Sequence, residues 1–165
     1  MPPNPSLQRT RLRSPLNSIS LGRVTAMHPF EFSLSLRLRH PSVAPSHISR
    51  TLRMKPSTQW RAGTPRRTPK GTLLAGRRAE TYWSTRITRG FVSSKQSSLV
   101  TALAQLAQRL ERHSAFFKVF HATGGTSECY LSLFGRHNFG EVLPHESLRT
   151  LSTQGISLAL DVYPQ

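Results

Sequence analysis

From Phe30 to Arg39 every second residue is apolar: Phe30, Phe32, Leu34, Leu36 and Leu38 alternate with Glu31, Ser33, Ser35, Arg37 and Arg39. Strand side chains point alternately to opposite faces, so this run predicts a strand with one buried side and one wet side. The same rhythm closes the chain. There Ile156, Leu158, Leu160 and Val162 alternate with Ser157, Ala159, Asp161 and Tyr163. A third run sets Cys129, Leu131 and Leu133 against Tyr130, Ser132 and Phe134. A fourth, Arg78 to Ile87, places Ala79, Thr81, Trp83, Thr85 and Ile87 on one face. The first and last strands are expected to turn their apolar sides toward a shared core.

Helical spacing recurs in three places. Pro45 suits a first helical position, and Ile48 and Leu52 follow before Pro56 ends the run. Leu99, Leu103, Leu106, Leu110, Phe117 and Phe120 fall at steps of three, four or seven, one apolar stripe along a single long helix. Ser97 or Ser98 would cap it, and Thr123-Gly124-Gly125 would stop it. A short helix runs from Pro144 to about Thr153, and Gly155 turns the chain into the last strand. Residues 56–76 hold Pro56, Pro65, Pro69, Gly63, Gly71 and Gly76 and predict a long irregular loop. A short strand near Thr72–Ala75 would let part of that loop form a hairpin. The predicted order is β-α-(β-β)-α-β-α-β. That is an α+β domain with a single, mostly antiparallel sheet and about three helices.

A chain of 165 residues fits one domain. Residues 1–26 contain Pro2, Pro3, Pro5 and Pro15, four arginines, no acid and no periodicity. They are expected to be a disordered Pro/Arg-rich tail, an extension outside the domain rather than a nucleic-acid-binding arm or a transit peptide. The domain is then 27–163.

Charge changes the picture by where it lies. Residues 1–95 carry eighteen Arg or Lys against Glu31 and Glu80, while 96–165 are balanced at five against five; the first stretch holds the whole net charge of +16. Nineteen of the cations are arginine, which suits bidentate phosphate contact but also follows from GC-rich codon drift. The lone cysteine, Cys129, is expected to be a buried strand residue, since one thiol makes neither a disulfide within the chain nor a zinc site. No run approaches the ~18 apolar residues of a membrane-spanning helix. A cytoplasmic protein is expected, with no membrane partner.

Two blocks carry a resemblance. The first is Pro45 to Gly63, PSHISRTLRMKPSTQWRAG, a helix opened by proline, then a Pro-Ser step, then Trp60-Arg61-x-Gly63. The second is Asn138-Phe139-Gly140, Pro144, Glu146, Leu148, Leu151, Gly155-Ile156, Leu158 and Leu160-Asp161-Val162-Tyr163. With both blocks in order, residues 27–163 resemble family 4279 of the bacterial domains of unknown function. The resemblance implies an α+β fold and a bacterial origin, and it brings no chemistry or site. Where members of that family often place an acid before the helix-opening proline, Ala44 stands here.

Catalytic and metal motifs are missing from the sequence. Gly71 to Gly76 has the glycine spacing of a phosphate loop, but Arg77-Arg78 supplies neither its lysine nor its hydroxyl. The histidines, His113 on the apolar stripe among them, show no i, i+4 pair. A pocket gathering His137, Glu146 and Asp161 would favour a hydrolase or transferase instead. No catalytic residue, metal or cofactor is therefore expected. Trp60, Arg61 and Gly63 form one binding candidate: the indole either stacks on a ligand or folds back and pins its loop, and pinning is the favoured reading. The loop Arg136-His137-Asn138 is the second. The leading expectation is a non-enzymatic protein-interaction module of immunity or regulatory type. The alternative is nucleic-acid binding through the basic region 50–89.

Overall fold

The computed structural model describes residues 28–164, and the tail expected over 1–26 lies outside them. The chain runs β1 (Glu31–His40), α1 (Pro45–Leu52), β2 (Thr58–Trp60), β3 (Pro65–Arg67), β4 (Leu73–Arg77), β5 (Thr81–Arg86) and β6 (Val92–Ser93). Then come α2 (Leu99–Glu111), α3 (Ser114–Ala122), β7 (Thr126–Gly135), α4 (His145–Thr153) and β8 (Ser157–Pro164). The fold is α+β.

The alternation of β1 is realised residue by residue. Phe32, Leu34, Leu36 and Leu38 are fully buried, while Glu31 and Arg39 are exposed. β1 lies in the middle of a six-stranded sheet of order β2-β5-β1-β7-β8, with β6 pairing the start of β1. Register aligns the apolar phases of neighbours: Leu38 faces Trp83 on β5, and Leu36 faces Cys129 on β7. The helices cover that one face. Ile48 and Leu52 of α1, Leu103 and Leu110 of α2, Phe117 of α3 and Leu151 of α4 join the strands in one core cluster. Each such side chain contributes about 1.5–3 kcal/mol on burial. The buried Trp83 donates its indole N–H to the Ser49 hydroxyl at 2.9 Å, tying α1 to β5.

Four expectations are corrected. The long helix is two helices, so there are four in all: the ladder breaks at Arg112 and His113, where the His113 N–H bonds back only three residues, to the Leu110 carbonyl. Ser98 does cap α2, accepting from Thr101 N–H. Neither proline nor glycine marks the break. Leu110 before the break and Phe117 after it are both buried, while Val119 is exposed.

Second, there are two sheets rather than one, and the main sheet, mostly antiparallel as expected, is mixed because α4 carries the chain across and lays β8 parallel to β7. Third, residues 56–76 hold more strand than the single one expected near Thr72–Ala75, which is β4. β2 pairs with β5 through Trp60 and Tyr82, and β3 and β4 pair with each other in a separate two-stranded sheet. A long loop leaves backbone groups that must find partners, and here they find each other. Fourth, the apolar phase of β8 is only partly covered: Ile156 is buried, but Leu160 and Val162 are 57% and 56% exposed.

Gly155 ends α4 at φ +68°, and Ile156 N–H bonds to the Leu151 carbonyl at 2.9 Å, closing the helix end. A Cβ there would stand 2.7 Å from His121 Nδ1. Gly155→Ala is expected to cost about 1–3 kcal/mol, from a strained backbone and a displaced ring, read as a lower urea midpoint at unchanged slope.

His40 is buried at the end of β1. Its Nδ1 accepts from Ser42 N–H and Val43 N–H, both at 3.0 Å. Its Nε2 lies 2.9 Å from the Thr123 hydroxyl, whose proton goes to the Val119 carbonyl, so Nε2 is the donor and the ring is neutral. Burial holds its pKa below 6.5, and burial lowers His113 and His121 likewise. A depressed folded pKa leaves stability intact above the unfolded value and removes it as pH falls through the folded one. Unfolding free energy is therefore expected to be flat above about pH 7 and to fall below about pH 6.5. His40→Ala should lower the plateau by about 1–3 kcal/mol and flatten part of the acid limb, measured by urea titration across that range.

Candidate functional site

Trp60, Arg61 and Gly63 form the root of the β3–β4 ribbon. The Gly63 N–H donates to the Arg78 carbonyl at 2.8 Å, and Arg78 N–H donates to the Thr64 carbonyl at 2.9 Å, closing the two strands together. Gly63 sits at φ +76°, a left-handed turn that a side chain would strain. Ala62 N–H reaches the Thr81 hydroxyl of β5. Trp60 stacks on Tyr82 with centroids 4.4 Å apart, and the Arg78 guanidinium lies 4.1 Å over its ring. Half-buried between these contacts, the indole links the ribbon root to β5. Arg61 is exposed beside it.

Beyond this root every residue of β3 and β4 is exposed. From residue 61 to 79 the chain carries Arg61, Arg66, Arg67, Lys70, Arg77 and Arg78 and no acid. Arg67 donates to the Gly71 carbonyl at 2.9 Å and Arg77 to the Gly63 carbonyl at 2.6 Å. These contacts orient the guanidinium groups without neutralising them. Among the described residues no carboxylate pairs with any cation of the ribbon. Gly71 and Gly76 lie in this ribbon with no helix after them, so the phosphate-loop spacing has no phosphate loop behind it.

The sheet face opposite the helices is built from the polar phases of its strands. Arg39 pairs with Glu80 at 2.9 Å, and Arg37 pairs with Glu128 while its guanidinium lies 3.1 Å over the Tyr130 ring. The Tyr130 and Tyr163 hydroxyls both donate to Asp161 Oδ2. These two bonds, Tyr130's first, hold the Asp161 carboxyl below its usual range, and the same carboxylate pushes the Tyr163 phenol up. Phe134 stacks on Tyr163 at 4.6 Å. This network joins β1, β7 and β8 on the uncovered side. Of the three residues whose gathering in one pocket would favour a hydrolytic reading, Asp161 lies here, His137 lies in the loop after β7, and Glu146 lies on α4 beside His145. The fold does not bring them together.

Arg136, His137 and Asn138 follow β7, near the opposite edge of the sheet from the ribbon root. They lie at the mouth of a cavity of about 510 Å³ whose walls include Leu131, Leu133, Leu160 and Val162. Sequence reasoning found the rim and missed the apolar wall, because that wall is visible only once β8 is seen to outrun its cover. A second hollow gathers Arg53, Arg109, Arg112 and His113. Arg53 and Arg112 are the C-terminal caps of α1 and α2, and Arg109 donates to the Arg53 carbonyl at 3.2 Å. Cations at helix C-termini offset the macrodipole, which accounts for the cluster.

Cys129 is buried on β7, and burial pushes its thiol up to about 12, which makes it inert at neutral pH. Among the described residues no three His, Cys, Asp or Glu side chains stand close enough to hold a metal ion, and no helix is long and apolar enough to cross a membrane.

The two blocks singled out in the sequence build these two places. Pro45 to Gly63 supplies α1, β2 and the ribbon root, and Asn138 to Tyr163 supplies the cavity loop, α4 and β8. The chain matches the family described as Domain of unknown function (DUF4279) over residues 30–165. It belongs to that family. No curated protein and no solved structure matches it.

In this DUF4279 member the indole at the ribbon root is open to a direct test. Trp60→Ala removes a stacked pair and a cation–π contact, each worth roughly 0.5–1.5 kcal/mol. Trypsin is expected to cut at Arg66, Arg67 or Arg77 several-fold faster in the variant, with a global stability loss of about 1–2 kcal/mol. Unchanged cleavage would show that the indole does not hold the ribbon.

Proposed function

We propose that this protein is a non-enzymatic nucleic-acid-binding protein that lays the β3–β4 ribbon against the phosphate backbone. One observation carries the reading: an exposed two-stranded ribbon with six cations, no acid and no ion-pair partner among the described residues. A two-stranded ribbon has the width to enter a major groove, and arginine forks match phosphate oxygens. The narrower form of the sequence expectation, the basic region 50–89, is thereby reduced to residues 61–78. The stacking of Trp60 on Tyr82 and its contact with Arg78 support a role in mounting the ribbon over one in base stacking. Binding of this kind is driven by phosphate neutralisation and carries little sequence preference.

The other expectation, a module that docks a protein of immunity or regulatory type, stands as the second reading. It is favoured by β8, an outer strand of the sheet whose far side has no paired neighbour among the described residues.

Retention of the full chain on DNA or RNA at about 50 mM salt is expected, with affinity falling steeply as salt rises. Arg66→Gln, Arg67→Gln and Lys70→Gln together should weaken binding at least about tenfold and make the log–log salt slope shallower by about 2–3. All three side chains are exposed, so the unfolding midpoint should not move. A slope that the triple substitution leaves unchanged assigns any binding elsewhere and ends the proposal.

A further inference from the structure

The sequence places Leu158, Leu160 and Val162 on the apolar phase of β8, and the register continues the rows of the core onto that strand. Leu34 on β1 faces Leu131 on β7, which faces Leu160; Phe32 faces Leu133, which faces Val162. Along the first row exposure rises from 0% at Leu34 to 1% at Leu131 and 57% at Leu160. The rows keep their chemistry and lose their lid. Two neighbouring aliphatic side chains left more than half open on an otherwise filled face mark a place where something else completes the core.

What stands over them is a cavity and not a flat patch. Its volume of about 510 Å³ lies within the roughly 300–1,000 Å³ of small-molecule sites. One wall is the aromatic pair Phe30 and Phe139, stacked with centroids 4.8 Å apart. Phe139 in turn lies against Gly135, where a Cβ would meet its ring at 2.5 Å. The loop over the cavity is therefore held by packing, and the space exists before any ligand arrives. The mouth is polar and cationic. Arg136 is exposed there and is in no ion pair among the described residues. The His28 and His137 rings lie together at 4.8 Å, and Asn138 adds an amide. The acid of this loop, Glu141, also lines the cavity, and its carboxylate accepts from the N–H of Val142 at 3.3 Å.

We propose that this cavity binds a small amphipathic carboxylate, with its apolar body on Leu160 and Val162 and its anionic head at Arg136 and Asn138. Charge decides against a second copy covering the patch: two copies meeting through the same patch would set Arg136 against Arg136, whereas an anion is attracted to it. The inference is independent of the ribbon and of what the ribbon binds.

The test uses the full chain with 8-anilinonaphthalene-1-sulfonate, an apolar anion whose fluorescence rises in such cavities, and decanoate as competitor. Decanoate is expected to displace the dye, while decylamine is expected to displace it at least about tenfold less well. Leu160→Asp should weaken decanoate about tenfold or more, and Arg136→Gln should weaken decanoate by a similar factor while leaving 1-decanol unchanged. Both side chains are exposed, so each variant should keep the parent unfolding midpoint. Equal displacement by decanoate and decylamine, or a Leu160→Asp variant that binds as the parent does, overturns the proposal. So does a dimer in sedimentation that Leu160→Asp dissociates, since a second copy then covers the patch.

Discussion

β1 is paired along most of its length on both edges, and it carries four fully buried side chains on one face with serines and arginines on the other. A strand in that position has no freedom to slip: moving by one residue would put Phe32, Leu34, Leu36 and Leu38 in water and Arg37 and Arg39 in the core. The apolar phases of β5 and β7 must align to it. The helices must lie on the side to which all three point. The opposite side is then left without a cover, and that asymmetry shapes everything else about the molecule.

On the uncovered side, polar phases that would be unremarkable one strand at a time become a network. Arg37, Glu128, Tyr130, Asp161 and Tyr163 come from three strands and satisfy each other without any helix above them. Exposed ion pairs contribute little to stability. Their effect is to occupy the arginines of β1 with local partners. Arg37 and Arg39 on the polar face of β1 are each matched by a glutamate. The cations of the ribbon have no such partners, which is why the nucleic-acid reading settles on the ribbon and leaves the sheet face out.

The two candidate places sit toward opposite edges of the sheet and work by different physics. At the β2–β5 edge an excess of charge is displayed on a ribbon with no core of its own, held at its root by one stacked indole. Toward β8 an excess of apolar surface is displayed because the helices stop before the last strand does. Family membership joins the two, since the residues that carry it supply the mounting of the first and the walls of the second. An apolar surface next to a cation selects amphipathic anions; a ribbon of cations selects polyanions.

Period-two and period-3.6 patterns by themselves determined that the chain is α+β, which residues of β1, β5 and β7 face the core, and where α1, α2 and α4 begin. Those are local matters: a side chain's face follows from its neighbours in sequence, and Ser98 and Pro45 act on the next turn of chain. The residues Trp60 to Gly63 and Arg136 to Asn138 were also legible as special, because aromatic, cationic and glycine residues had collected outside any periodic segment. Their partners were not legible. Tyr82 and Arg78 close over Trp60 only through the β2–β5 register, and nothing local in Glu111 to Ser114 announces the break between α2 and α3. The tertiary structure alone decided that β8 runs parallel to β7, that β2 joins β5 while β3 and β4 form a separate sheet, and that Leu160 and Val162 stay open. Whether an apolar side chain is covered depends on the length and placement of a helix remote in sequence, and its alternation with polar neighbours carries no record of that.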